Sequence, residues 1–259
     1  MTKNLKFIAI IFSLIIAVNP LFSQVKRSQE IVLGNLQLKD EINLGMVFNG
    51  AQFEYRYGWL WEKSNNHEIF YQPKIGFGMA FTREMIGVRI HTAPVNLTWT
   101  MPFHEKNGHT IRGGANFKTH YNYYYYELHD GHLFWFTQIG VSPLIQYGFQ
   151  WDNRRINAAL QNSLFGFTYF RHRQGYDPYV WMFDWKDWVF TANKNLKFGS
   201  FNRYNHTTLS LEFVPNIAKR HSIGYEFDYL GFYEGYHFHQ INHNLIWRVS
   251  LCGRKKQKH

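Results

Sequence analysis

With 259 residues, a formal charge of +10 and one cysteine, the chain is too long for a disulfide-held mini-domain and cannot form an internal disulfide. Aromatic residues make up 19% of it (24 Phe, 17 Tyr, 9 Trp), far more than a soluble core needs, yet mean hydropathy is negative at −0.38. Past the first two dozen residues no stretch approaches the roughly 20 apolar residues of a membrane helix, which excludes a helical membrane domain and leaves strands in which apolar and polar residues alternate.

The first 23 residues have the layout of a secretory signal peptide. Lys3 and Lys6 form a basic start, residues 7–18 an apolar core, and Pro20-Leu21-Phe22-Ser23 leads to a cleavage point after Ser23, within two residues. No cysteine lies there, so a lipoprotein anchor is excluded. Residues 24–40 are polar with scattered Ile, Val and Leu. They read as a lead segment ahead of the barrel: a plug-like lead, a short helix or an early strand. The barrel itself is placed at residues 41–252, with 253–259 a basic tail carrying Arg254, Lys255, Lys256 and Lys258.

A first strand is expected over 42–48, closed by Asn49-Gly50 as a tight turn. In the next strand Phe53, Tyr55, Tyr57, Trp59 and Trp61 share one face, while Gln52, Glu54, Arg56 and Gly58 share the other, because successive strand residues point to opposite sides. After a turn at 64–66, Ile69, Tyr71, Ile75, Phe77, Met79 and Phe81 form an apolar row opposite Lys74 and small residues, and Pro73 removes a ladder donor. Residues 88–103 continue the pattern with Val95, Leu97, Trp99, Met101 and Phe103. A hairpin turn falls at 104–108. Ile111, Ala115, Phe117 and Tyr121 then alternate with Arg112, Asn116, Lys118 and His120. The tyrosine run 123–126 breaks the alternation and leads into a loop to 132.

The cleanest strand is 133–151, turned back at 152–155 into 156–170, where the alternation slips at Leu164-Phe165 as a bulge would make it. Residues 171–186 read as loop. Two short strands are expected at 188–192 and 196–201, around a turn at 193–195. Leu209, Leu211 and Phe213 alternate with Ser210 and Glu212, and a turn follows at 215–218. Ile223, Tyr225, Phe227 and Tyr229 alternate with Glu226 and Asp228. After an aromatic loop at 231–239, the last strand, 241–251, sets Leu245, Trp247 and Val249 against Asn242, Asn244 and Arg248.

The pattern predicts an all-β protein, a transmembrane antiparallel up-and-down β-barrel of about twelve strands, or ten if the weak pair between Trp188 and Phe201 is loop. A C-terminus on the periplasmic side puts the turns at 104–108, 152–155, 193–195 and 215–218 there, all short. The longer connections at 123–132, 171–179 and 231–239 then lie outside, the usual asymmetry of such barrels. A soluble β-sandwich or a lipocalin-like barrel is the remaining architecture. Signal peptide, alternating aromatic strands and amphipathic final strand together resemble a Gram-negative outer-membrane β-barrel protein. The resemblance covers the mature chain, is architectural and identifies no particular family. The tail past Leu251 departs from the usual barrel ending on a strand aromatic. The resemblance implies outer-membrane localisation, with membrane lipids and lipopolysaccharide as partners and other outer-membrane proteins as further candidates. An exported chain does not meet nucleic acid.

The inner rows place Glu54, Arg56, Lys74, Arg112, Lys118, Glu212, Glu226, Asp228 and Arg248 in the lumen. Charges of both signs across a narrow lumen either pair and plug it or line a small polar pore. Glu226 and Asp228, two apart on one face, read as partners for Arg248. The expectation is a non-enzymatic barrel, either a small-solute channel or a barrel subunit of an envelope complex. The alternative is a lipid-modifying hydrolase, since outer-membrane phospholipases and lipid A deacylases resemble this chain in size and architecture. A base must reach its nucleophile, and some of those enzymes set a His and a Ser two apart on one face. Here no His-x-Ser occurs, His221-Ser222 are adjacent, and His206 and Ser210 share a face but lie too far apart. His129 and His132 flank an expected outer turn, and His237, His239 and His243 share parity; two-residue spacing alone reads as solvated or girdle-level histidine rather than a metal site. No cofactor motif appears.

Overall fold

The computed structural model describes residues 24–41, 45–63, 65–127, 132–174, 196–200, 203–233 and 237–251. The expected signal peptide, the basic tail, Cys252, His129 and the strand expected at 188–192 lie outside them. Within them runs a single antiparallel sheet. Its segments are β1 (Gln24–Asp40), β2 (Val47–Glu62), β3 (Glu68–Tyr71), β4 (Lys74–Phe81), β5 (Ile86–Ala93), β6 (Asn96–Lys106) and β7 (His109–Tyr126). They continue with β8 (His132–Trp151), β9 (Arg154–Asn162), β10 (Phe165–Gln174), β11 (Lys197–Gly199), β12 (Tyr204–Val214), β13 (His221–Phe232) and β14 (Phe238–Leu251).

Among the described residues, these segments build ten barrel strands rather than twelve, because eight of them are the halves of four interrupted strands. β3 and β4 both pair with β2, with the break at Gln72-Pro73. β5 and β6 both pair with β7, with the break at Pro94-Val95. β9 and β10 both pair with β8, with the break at Ser163-Leu164, where the sequence alternation slips. β11 and β12 follow one another along β10 and β9. The two prolines act as expected of residues without an N–H. The ladder is patched around them by Gln72 N–H to Asn96 O (2.8 Å) and Thr119 N–H to Val95 O (2.8 Å).

Closure comes from the segment expected as a lead. β1 pairs with β14 along one side, Arg27 opposite Leu251 through Asp40 opposite Phe238, and with β2 along the other, so the barrel begins at Gln24 rather than at residue 41. Asn49-Gly50 is not a turn, for β2 runs straight through it. A Cβ on Gly50 would lie 1.9 Å from Met79 O, so that glycine permits close approach of β4. The reversal lies just before β2, where Gly45 has φ +69° and its N–H reaches Asp40 O at 3.0 Å. The tyrosine run is also strand: Tyr121 to Tyr126 pair with both β5 and β8.

Both ends of the sheet, Gln24 and Leu251, share one rim with the two-residue turns 107–108 and 152–153 and the connections 63–67 and 215–220. Asn107 (φ 51°) and Gly108 (φ 80°) both take the left-handed conformation that a tight two-residue hairpin demands. The 22-residue connection 175–196 joins strands at the opposite rim. Single-chain barrels keep short turns in the periplasm, which orients this one.

Strand length accounts for the burial pattern. β1 has 17 residues. At about 3.3 Å per residue and a tilt of about 40° such a strand rises about 40 Å, against an apolar band about 25 Å tall. The excess is on the outer side, and the sequence marks it. At bilayer level β1 turns Ile31 (38% exposed) and Leu33 (59%) outward and Ser28 and Glu30 inward. Beyond Gly34 the phase inverts, with Leu36 and Leu38 inward and fully buried and Asn35, Gln37 and Lys39 outward. In the outer overshoot the barrel is therefore a small water-soluble one, apolar inside. Leu36, Leu38, Phe48, Ala80, Met85, Tyr124, Tyr126, Phe136, Tyr204, Leu230, Phe232 and Phe238 form one apolar cluster across the lumen at that end.

Candidate functional site

Beneath the apolar layer the lumen becomes polar. All nine residues expected to line it are on inward-facing positions, but their partners differ from the expected ones. Arg56 is the hub. Its guanidinium donates to both oxygens of Glu226 (Nη2 to Oε1 2.6 Å, Nη1 to Oε2 2.9 Å) and through Nε to Glu54, with Glu30 3.7 Å away. Arg248 is not the partner of Glu226 and Asp228. It bonds Glu30 and Glu212, each at 2.6 Å. Asp228 instead accepts from Thr208 (3.0 Å) and Asn242 (3.0 Å) and lies 2.7 Å from His206 Nε2. Lys74 lies 3.5 Å from Glu54, and Arg112 sits nearer the periplasmic rim, 3.0 Å from Glu68 and 3.5 Å from Glu105.

Several members were not singled out from the sequence. Glu30 belongs to the segment taken as a lead. Arg89, 1% exposed, donates to Asn122 Oδ1 (2.8 and 3.1 Å) and Gln52 Oε1 (2.7 Å), so amide oxygens hold a fully buried cation. Three histidines stand side by side. His120 is 5.9 Å from His91 and 5.6 Å from His206, ring centre to ring centre, the second pair stacked. His91 Nε2 comes within 2.8 Å of Glu54 Oε2 out of hydrogen-bond alignment, and neither nitrogen of His120 has a partner. Strand parity places all three inward; what parity cannot give is their adjacency, because they come from β5, β7 and β12.

The arrangement does not make a nucleophile. His206 lies between Asp228 and Gln138 (Nδ1 to Oε1 3.1 Å), and the Ser163 and Ser142 hydroxyls lie one step further on, bound to Gln138 and to each other. Among the described residues no serine hydroxyl bonds a histidine nitrogen, and no group of His, Cys, Asp or Glu could hold a metal ion. His239 and His243 face outward against tyrosines, with Nδ1 2.9 Å from the Tyr229 hydroxyl and 2.7 Å from the Tyr225 hydroxyl; His237 pairs with Glu41 at 3.0 Å.

From this charged layer down to the periplasmic rim the lumen opens into a cavity of about 1030 Å³. Arg56, Lys118, His206, Glu226 and Asp228 line its inner end, and Lys26, Arg112, Arg155, Lys219 and Arg220 line its mouth. The lumen is thus layered: polar cavity, ionic floor, apolar cap. Breaking a buried ion pair by removing one partner costs about 3–5 kcal/mol, so the floor is sensitive to the loss of any single charge.

No family model matches the sequence, and no curated protein matches it. Solved structures do match. The outer membrane protease OmpT from Escherichia coli aligns over 88% of this chain and 97% of its own, at 7% identity and a TM-score of 0.54. The translocator domain of the autotransporter NalP from Neisseria meningitidis aligns over 95% and 96%, at 6% identity and a TM-score of 0.43. At such identities the likeness is one of fold. A closed ten-strand barrel with an outward apolar row and both sheet ends at one rim, overlaying on OmpT, has the fold of the Gram-negative outer-membrane β-barrels, and its outward apolar row suits an outer-membrane place.

Proposed function

We propose that this protein is a non-enzymatic barrel subunit of the cell envelope that does not conduct at rest, its lumen serving the periplasm as a cul-de-sac. The apolar cap carries this reading. A small-solute channel needs a continuous wet path, whereas Phe48, Phe136, Phe232, Phe238, Leu36 and Leu38 are each at most 2% exposed inside the outer end. Phe136 and Phe232 meet edge-to-face at 5.4 Å, and Tyr124 and Phe238 at 5.0 Å. An ion crossing there would shed its water against hydrocarbon, after displacing the floor of paired charges. Among the described residues the hydroxyls that meet a histidine nitrogen belong to tyrosines, Tyr147, Tyr225 and Tyr229, and this weighs against a serine-dependent lipid hydrolase. Outward Lys39, above the apolar band, suits contact with lipopolysaccharide phosphates.

Planar-bilayer recording tests the reading. Wild-type protein should insert without stepwise conductance, and F136A/F232A, which empties the centre of the cap, should acquire brief openings. Steady wild-type conductance would make the protein a channel.

A further inference from the structure

We infer that the periplasm-facing cavity is a binding site for a small solute bearing a carboxylate or phosphate group, with the Lys118 ammonium as the contact at its inner end. The inference rests on the cul-de-sac reading and names what the cul-de-sac holds.

Lys118 is 6% exposed and lines the cavity, yet among the described residues it has neither a hydrogen-bond acceptor nor a carboxylate at ion-pair distance. An ammonium carries three donors, and leaving them idle in a buried position is costly. The carboxylates of that floor are committed elsewhere. Asp228 accepts from Thr208 and Asn242 and sits against His206, while Glu226 takes both Nη groups of Arg56 and the Asn244 amide. Every other lysine or arginine of the inner lumen has a partner: Arg56, Arg89 and Arg248 through hydrogen bonds, Lys74 through Glu54. Lys118 alone among them presents an unused positive charge to the cavity.

The approach to it has the same sign. At the mouth Lys26 is held by Glu62, and Arg112 by Glu68 and Glu105. That leaves Lys106, Arg155, Lys219 and Arg220 at the cavity with Asp152 as the one uncommitted acid among the lining residues. A cleft of one sign with low-dielectric walls concentrates counter-ions and speeds their entry. At about 1030 Å³ the space is at the upper end of small-molecule pockets, about 300–1,000 Å³, so a metabolite-sized anion fits. The Ser210 hydroxyl, on β12, also lines the cavity and suits the neutral part of such a solute.

The test uses the full-length barrel in detergent micelles at low salt, titrated calorimetrically with inorganic phosphate and separately with succinate. Saturable binding of either probe is expected, weakened at least tenfold in K118M and largely kept in K118R. R155Q/R220Q should bind more weakly and with a shallower salt dependence. Acylation of Lys118 by acetic anhydride, read by mass spectrometry on wild-type protein, needs no variant to fold, and the bound probe should slow it. No saturable binding of either probe, or equal binding by K118M, overturns the site. Bilayer recording on the same preparation keeps the two readings apart. A silent barrel that binds neither probe loses only the anion site, and a conducting one loses the cul-de-sac.

Discussion

Replacing Arg56 by methionine should be among the most damaging single changes in the barrel, although it removes no apolar contact of the cap. Arg56 bonds Glu226 twice, at 2.6 and 2.9 Å, and Glu54 once, with side-chain exposures of only 6% for Arg56, 10% for Glu226 and 4% for Glu54. Water therefore screens these charges little, and the methionine leaves two carboxylates in the floor without their shared cation. The expected cost is about 3–5 kcal/mol, the range for breaking a buried pair from one side. Most of that is the penalty of the stranded acids rather than the worth of the bond. It follows that R56M/E226Q, which also removes one stranded charge, should cost less than the sum of its two single changes by about 1–3 kcal/mol. Urea unfolding in lipid vesicles, followed by tryptophan fluorescence and heat-modifiable gel migration, measures all four proteins. Additive single costs, or an R56M barrel within about 1 kcal/mol of wild type, would refute the hub.

Three further changes probe the other layers. L33R and Q37R sit four residues apart on the outward face of β1, Leu33 at 59% exposure within the apolar band and Gln37 past the inversion. Vesicle unfolding should show a loss of about 2–4 kcal/mol for L33R and at most about 1 kcal/mol for Q37R, and equal costs would mean the bilayer edge is not near Gly34. F232A removes a ring that is 1% exposed and edge-on to Phe136, and should lower stability by about 3–5 kcal/mol in the same assay. G108A puts a Cβ 2.3 Å from Gln150 O at a residue whose φ is +80°, so a loss of at least about 1–2 kcal/mol is expected, with slower refolding into vesicles as a second readout.

The sequence by itself determined which stretches are strands, and within most of them which side chains share a face, since both follow from a period of two that neighbouring residues alone establish. Glu54 and Arg56 of β2, Lys118 of β7 and Glu226 of β13 were placed inward on that basis. The slip at Leu164-Phe165 and the ladder break at Pro73 were legible for the same local reason. Two failures share one cause. β1 and the end of β7 change phase where the barrel leaves the bilayer: Leu33 points to lipid and Leu36 into the cap, and Tyr123 points out while Tyr124 is buried. A reading that assumes one phase per strand sees there a break in the pattern, not a change of solvent. That is how the closing strand passed for a lead and four tyrosines for a loop.

Tertiary structure alone decided who meets whom. Arg56 and Glu226 are 170 residues apart and Arg248 and Glu30 are 218 apart, so their pairing depends on the closure of ten strands and on every register between. Parity puts a charge in the lumen but is silent on its height and on which neighbour faces it. For that reason parity suggests Arg248 as the partner of Glu226 and Asp228, which it is not, and gives no sign that His91, His120 and His206 stand side by side. It is also why Lys118, one inward lysine among several in the sequence, stands out only in the folded barrel, where every nearby carboxylate is already occupied.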